Sequence, residues 1–503
     1  MGRVRFQLAI IALFVVASVV AAGERGADPP VLIPAPKTVT WIQRDLVLRG
    51  SAKIVLPEKA SPDVWAAANG LARAIQDAAG KKIAIVRGRV EKERAGSFVL
   101  RPGFKDAELG SEGYDLSVDR GVVLQAADGR GLFYAAQTLR QLLHKGNRVT
   151  LAGCNIRDWP SWPYRGLQID PARNYMTPAF LKQQIDFISA YKLNHLHLHL
   201  TDDQGWRLEI KAYPNLASEN KYTQAEMKDL IAYARERFVT IVPEMDMPGH
   251  PKEFGRKFPD LYHNDCMCIG NEKTYQVVEQ IWKEAAEVFD SPYMHVGGDE
   301  TNDVLECSVC RAKWEEVGKE PNPPGSLVAY FLARVNEIIK AQGKQAIAWT
   351  QDNRHWKGTL PKDMIMMAWT TPAVDCARQG YQVINAYVRP LYFDGGHGIP
   401  AFLKWRTNDG VSEPLPTLMG AEAQVWYGYG EKPFVEEEFY RDEGYFPRLL
   451  VFADRVWGPP PGDPYADPTV FDRRALDHKA RFFSGYPFPY PPKSLDPNAP
   501  FPW

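Results

Sequence analysis

The sequence has almost no net charge. Its 60 Lys and Arg against 61 Asp and Glu leave a formal charge of −1. That balance gives no electrostatic basis for binding nucleic acid or an anionic membrane surface. Cysteine is also scarce, with six in 503 residues: Cys154, Cys266, Cys268, Cys307, Cys310 and Cys376. A disulfide-dense scaffold is therefore excluded. No internal repeat stands out beyond an alternation of strands and helices, which excludes solenoids and propellers. Beyond the N-terminus, no apolar run is long enough to cross a bilayer.

The N-terminus is the exception. Arg3 and Arg5 precede an unbroken apolar run from Leu8 to Val20, followed by Ala21-Ala22-Gly23. A basic start, a run of this length and a small-residue exit predict a signal peptide over residues 1–22 and an exported mature chain, periplasmic, extracellular or lysosomal. A retained anchor fits less well, because the run is shorter than the ~20 residues a span needs. Export favours disulfides among the cysteines, although the C-x-C and C-x-x-C pairs together also suit a zinc site.

Length alone predicts two domains with additions. Residues 31–158 read as a small α+β domain, with strands at Ala52–Leu56, Ile83–Val86, Tyr114–Val118 and Val122–Ala126. Helices are predicted over Pro62–Ala79 and Leu132–Leu143, and no chemistry concentrates there. Over 159–458 the pattern becomes strand, loop, helix. Strands are expected at Gly166–Asp170, His195–Leu200, Val239–Pro243, Tyr293–Val296, Ala346–Trp349, Ile365–Ala368, Gln382–Ile384 and Met419–Ala423. This alternation predicts an α/β fold, a (β/α)8 TIM barrel preceded by the small α+β domain. Residues 459–503 form a Pro-rich extension with a last, barrel-associated helix near Phe471–Phe483, the tail expected to be loose or wrapped on the surface.

In such a barrel chemistry gathers at the carboxyl ends of the strands. Polar residues cluster there: Asp170 with Arg173, Asp202-Asp203, Glu244 with Asp246 and His250, and Asp299-Glu300. The stretch Gly297-Gly298-Asp299-Glu300 is the focus. Adjacent carboxylates repel, so one pKa rises, giving one protonated and one charged acid. By itself the stretch fits equally well a turn that starts a helix, with acids at its N-terminus. His195, His197 and His199 alternate on one strand and face one side, as metal ligands or as histidines satisfied within the barrel. Three tryptophans, Trp349, Trp369 and Trp426, fall at or just past strand ends and would form an aromatic cup suited to a sugar.

Four segments taken together resemble the family-20 glycoside hydrolases, the β-N-acetylhexosaminidases: Asp170-Pro171-Ala172-Arg173, the run Asn194 to Trp206, Pro243 to His250, and His295 to Glu300. The similarity extends over residues 31–490 and includes Gly131 to Leu143 of the small domain. It implies removal of terminal N-acetylglucosamine or N-acetylgalactosamine from glycans with retention, the substrate's acetamido oxygen acting as nucleophile. By the same resemblance, Glu300 is the general acid/base, and Asp299 orients the acetamido group and balances the intermediate's charge. Tyr392 would bond the acetamido oxygen, while Trp349, Trp369 and Trp426 box it. Arg173 and Asp394 would contact sugar hydroxyls, with Asp202, Asp246 and His250 beneath the acid. No metal and no organic cofactor is implied; the partners are N-acetylhexosamine-containing glycans.

Two positions depart from the pattern. Asn174 stands where the family commonly has His, and Gly428 where a glutamate commonly helps read the outer hydroxyls. Two other functions fit the residues less well: a carbohydrate-binding relative without turnover, and a zinc-dependent barrel hydrolase built on the histidine strand.

Overall fold

The computed structural model describes residues 29–483 apart from 91–94, 302–303, 318–324, 351–359, 396–397, 428–433, 443–444, 461 and 464. The expected signal peptide, Gly428 and the Pro-rich end from 484 onward lie outside the described residues.

In the small domain a mixed sheet carries two helices. Strands with alternating burial, such as Tyr114–Val118 and Val122–Ala126, present one face to a core and one to water. They belong to a seven-stranded mixed sheet. Two helices, Pro62–Ala79 and Gly129–Leu142, pack on it and on each other. The first helix begins at a Ser61-Pro62 boundary and ends where Gly80 turns left-handed at φ 68°, the usual asymmetry of helix ends.

The second domain is a closed barrel of eight parallel strands. They are β1 (Tyr164–Ile169), β2 (His195–His199), β3 (Thr240–Glu244), β4 (Tyr293–His295), β5 (Gln345–Trp349), β6 (Ile365–Ala368), β7 (Gln382–Asn385) and β8 (Leu418–Val425). Each strand is almost wholly buried, as expected when helices cover the outside and side chains fill the inside. Every expected strand is present, displaced at its ends by at most two residues. Among the described residues no helix is long and apolar enough to cross a membrane.

The small domain fastens to the amino-terminal ends of the barrel strands. Arg165, fully buried near the start of β1, holds Glu112 at 2.8 Å and the Tyr134 hydroxyl at 3.0 Å. Lys192, just before β2, pairs with buried Asp158 at 2.8 Å, and Asp158 also accepts from the Trp457 indole. These are charges removed from water, and each is compensated by an opposite charge and by hydrogen bonds. The opposite rim of the barrel is left to the loops that carry the polar clusters.

The extension is not loose where it is described. Helix Pro468–Phe482 buries Phe471, Ala475 and His478. Its Arg474 binds Asp454 of the last barrel helix and donates to the Leu32 carbonyl at 2.6 Å. The helix docks because it carries an apolar stripe and a buried arginine with two partners.

Candidate active site

The stretch after β4 is shaped by two glycines. Gly297 and Gly298 have φ of 78° and 93°, where a side chain is strained. A Cβ on Gly297 would also lie 1.8 Å from Asp246 Oδ1. That close approach lets the Gly298 N–H donate to Asp246 Oδ1 at 3.0 Å. The chain then presents Asp299 inward and Glu300 outward: Asp299 is half-buried with its Oδ1 fully buried, while the Glu300 side chain is 52% exposed. Glu300 itself sits at φ 45°. Gly-Gly-Asp-Glu does not start a helix directly, so the site reading prevails over the turn-into-helix reading.

Around this pair the structure assembles all the other expected residues. Arg173 reaches Asp170 at 2.7 Å and Asp202 at 2.8 Å, and its guanidinium lies over the Trp426 ring, 5.1 Å from the centroid. Asp202 also lies 3.1 Å from His199 and 3.9 Å from His250. The other nitrogen of His250 meets Glu300 at 3.4 Å. Trp349 contacts Trp369 at 6.5 Å and Trp426 at 6.1 Å between ring centroids, and Tyr392 contacts Trp426 at 6.0 Å. Asp394, on the turn Phe393–Gly395, accepts from the Trp426 backbone and senses the Arg173 charge. Asp299 Oδ1, Asp394 Oδ1 and the Trp369 and Trp426 indole nitrogens are buried without a hydrogen-bond partner among the described residues. Buried polar atoms of this kind need a partner, and a polar ligand supplies one.

Ionisation sharpens the assignment. Burial, with the charges of Glu244 and Glu300 in support, raises Asp299 to about 6 against the opposing His250. Asp246 is raised as well, by burial and then by Asp299, so these two neighbouring acids compete for a proton. Glu300 moves the other way. Its hydrogen bond to His250 holds it below the ordinary carboxylate range, burial opposing. For His250, burial disfavours the charge, yet Glu300, Asp246, Asp299 and Asp202 together lift it to about 10. Both shifts favour the same arrangement of this pair, a charged Glu300 carboxylate against a protonated His250.

The histidine strand forms a network that adjacency in sequence could not show. His197 lies between Glu422 at 2.8 Å and Glu244 at 3.2 Å, and His295 approaches Glu244 at 3.1 Å. His199 also bonds Glu244, whose other oxygen accepts from the Trp349 indole at 2.6 Å. Glu422 accepts from the Tyr164 hydroxyl at 2.7 Å. Burial opposes a charge on Glu244, and the three histidines overcome it and lower its pKa well below the ordinary range. His195 instead stacks on Tyr164, with centroids 3.9 Å apart. Ligand atoms of His197, Glu244 and His295 are close enough together for a metal; His197 Nδ1, His295 Nδ1 and Glu244 already have hydrogen-bond partners, while His197 Nε2 and His295 Nε2 are buried without one among the described residues. Glu422 was the residue missed. Its signal was a lone acid in the apolar run Leu418–Val425.

A parallel barrel whose carboxyl rim joins a carboxylate pair, a guanidinium and a tryptophan cup defines the class of carboxylate-based glycoside hydrolases. The chain belongs to glycosyl hydrolase family 20. The family's catalytic-domain model matches residues 162–460, and its domain 2 model matches residues 29–159. A β-hexosaminidase of Akkermansia muciniphila is 30% identical, over 78% of this chain and 88% of its own. A β-hexosaminidase of Porphyromonas gingivalis is also 30% identical, over 71% of this chain. The chain spans about half the length of that relative, 52%. The Streptomyces coelicolor β-N-acetylhexosaminidase structure has the same fold, with a TM-score of 0.78 at 24% identity over 93% of this chain and 99% of that one.

Proposed function

We propose that the protein is a retaining exo-β-N-acetylhexosaminidase that removes terminal N-acetylglucosamine or N-acetylgalactosamine from glycans outside the cytoplasm. The observation that carries this reading is the division of the adjacent acids: an Asp299 whose Oδ1 is buried without a partner among the described residues, and a half-exposed Glu300 paired with His250. The relatives named β-hexosaminidase support it.

The reaction uses the substrate's own acetamido oxygen, which attacks the anomeric carbon as the glycosidic C–O bond breaks. Glu300 gives its proton to the leaving oxygen, and the sugar becomes a cyclic oxazolinium. Asp299 accepts the acetamido N–H and balances the positive charge, which requires it ionised. Water then attacks the anomeric carbon, its proton passing to Glu300, and two inversions give retention. Before the first step His250 holds the proton that Glu300 must deliver. A sugar that expels water from the pair makes a neutral Glu300 and neutral His250 cheaper than an ion pair, so the proton crosses the 3.4 Å contact. Trp349, Trp369, Trp426 and Tyr392 close around the acetamido group; Arg173 and Asp394 take sugar hydroxyls. The signal-peptide pattern supports export.

An aryl N-acetyl-β-glucosaminide tests the proposal. Wild-type protein is expected to release the aryl group and Asp299→Asn to lose most of that activity. A wild-type protein that binds N-acetylhexosaminides without cleaving any of them would instead be a carbohydrate-binding relative.

A further inference from the structure

Four potential ligands that the proposed reaction does not use converge between the loop after β3 and the loop after β4. Cys268 Sγ lies 3.5 Å from Cys307 Sγ and 3.8 Å from Cys310 Sγ. His263 joins two of them: one of its ring nitrogens, Cys268 Sγ and Cys307 Sγ all lie within 4.8 Å of one another, and Cys310 joins through Cys268. Zinc–sulfur bonds of about 2.3 Å place the sulfurs of a tetrahedral site about 3.8 Å apart, whereas a disulfide holds them about 2.05 Å apart. The two sulfur–sulfur separations from Cys268 match the edge of a zinc tetrahedron. From this convergence of three thiols and an imidazole we propose a structural zinc site made by His263, Cys268, Cys307 and Cys310.

The surroundings are built for it. His263 and Cys266 pair across a two-stranded ribbon, Tyr262–His263 with Cys266–Met267, which delivers Cys268 immediately afterwards. Cys307 and Cys310 come from the start of helix Ser308–Val317, as a C-x-x-C pair. The Gly270 N–H donates to Cys310 Sγ at 3.4 Å, the kind of bond that steadies a metal thiolate. Gly270 must be small, because a Cβ there would meet the Val309 carbonyl at 2.4 Å. Cys266 is not assigned to the site; its thiol donates to the Met267 carbonyl at 3.2 Å. On binding, each of the three thiols loses its proton and the imidazole binds neutral. A single disulfide would use two of the four donors and leave a thiol and an imidazole without a role.

The site also has a place in the architecture. The Met267 N–H donates to the Pro248 carbonyl at 2.9 Å, two residues before His250. Cys307 follows Glu300 by seven residues. The ion therefore ties together the two loops that carry the His250–Glu300 pair.

Elemental analysis of the full-length protein, purified without chelators, is expected to find one zinc per chain. Replacement with cobalt is expected to give the sulfur-to-cobalt charge-transfer absorption of a thiolate site. Zinc is lost in Cys307→Ser/Cys310→Ser and in His263→Ala, and kept in Cys266→Ser and Cys376→Ser. Stripping the metal lowers the melting temperature and leaves the cysteines alkylatable. Metal-free wild-type protein whose unreduced mass has lost two hydrogens per cysteine pair would overturn the site. So would zinc that survives the double serine variant. Zinc lost with Cys266→Ser but kept with His263→Ala would overturn the ligand set. The wild-type analysis stands even if a variant fails to fold.

Discussion

Glu300 and Asp299 are neighbours in the chain, and the fold gives them opposite tendencies. Asp299 must be charged to act, and burial raises it to about 6. Activity is therefore expected to fall as pH drops through about 6, where Asp299 takes up a proton, and this acid limb in kcat/KM belongs jointly to Asp299 and Asp246. At the alkaline end the proton shared by His250 and Glu300 is lost near the His250 value of about 10. His250→Ala is expected to move the alkaline limb down, which a pH–rate profile would register. Glu300→Gln removes the proton donor and should cost ~10²–10⁴-fold on substrates with poor leaving groups. On an activated aryl glycoside, whose leaving group needs no proton, the loss in the bond-breaking step should be much smaller. Equal losses on both substrates would contradict the role assigned to Glu300. The residue types of this site were legible in the sequence, because all the expected positions meet at one rim. The location of the proton was not: His250 lies fifty residues from Glu300, and only the folded chain sets their contact.

Among the elements, β4 and its glycine turn are the most constrained. Gly297→Ala places a side chain both in the left-handed region and against Asp246. The conformational part alone costs roughly 1–2 kcal/mol, and the clash adds to it. Thermal unfolding should show a lower midpoint and assays a loss of activity, since Asp246 and Asp299 must both shift. The strands themselves could be read in advance because parallel barrel strands are short, apolar and separated by helices of distinct period. Helix Pro62–Ala79 was legible to the residue, with a proline at one end and a glycine at the other. What could not be read was pairing across the barrel. Glu422 meets His197 from a strand 225 residues away, and an acid inside an apolar run carries no mark of its partner. The partners of helix Pro468–Phe482 escaped for the same reason, since Asp454 and Leu32, which hold its Arg474, are remote in sequence.

At the scale of the molecule, the small domain grips the end of the barrel opposite the candidate site. Lys192→Met would leave Asp158 buried with a reduced set of partners. Breaking a buried pair from one side typically costs about 3–5 kcal/mol. The variant should unfold at lower denaturant concentration while the folded fraction keeps its kcat, a separation of stability from catalysis that chemical denaturation and assays together would show. The last described helix clasps the first described segment, Arg474 and His478 each bonding a backbone carbonyl, of Leu32 and Val31. Residues 31–483, whose two ends meet in this way, come close to a ring. The order in which its parts are synthesised is therefore separable from the fold: a short linker across the clasp, with new termini opened elsewhere in an exposed loop of the small domain, should give a circular permutant that still closes the barrel.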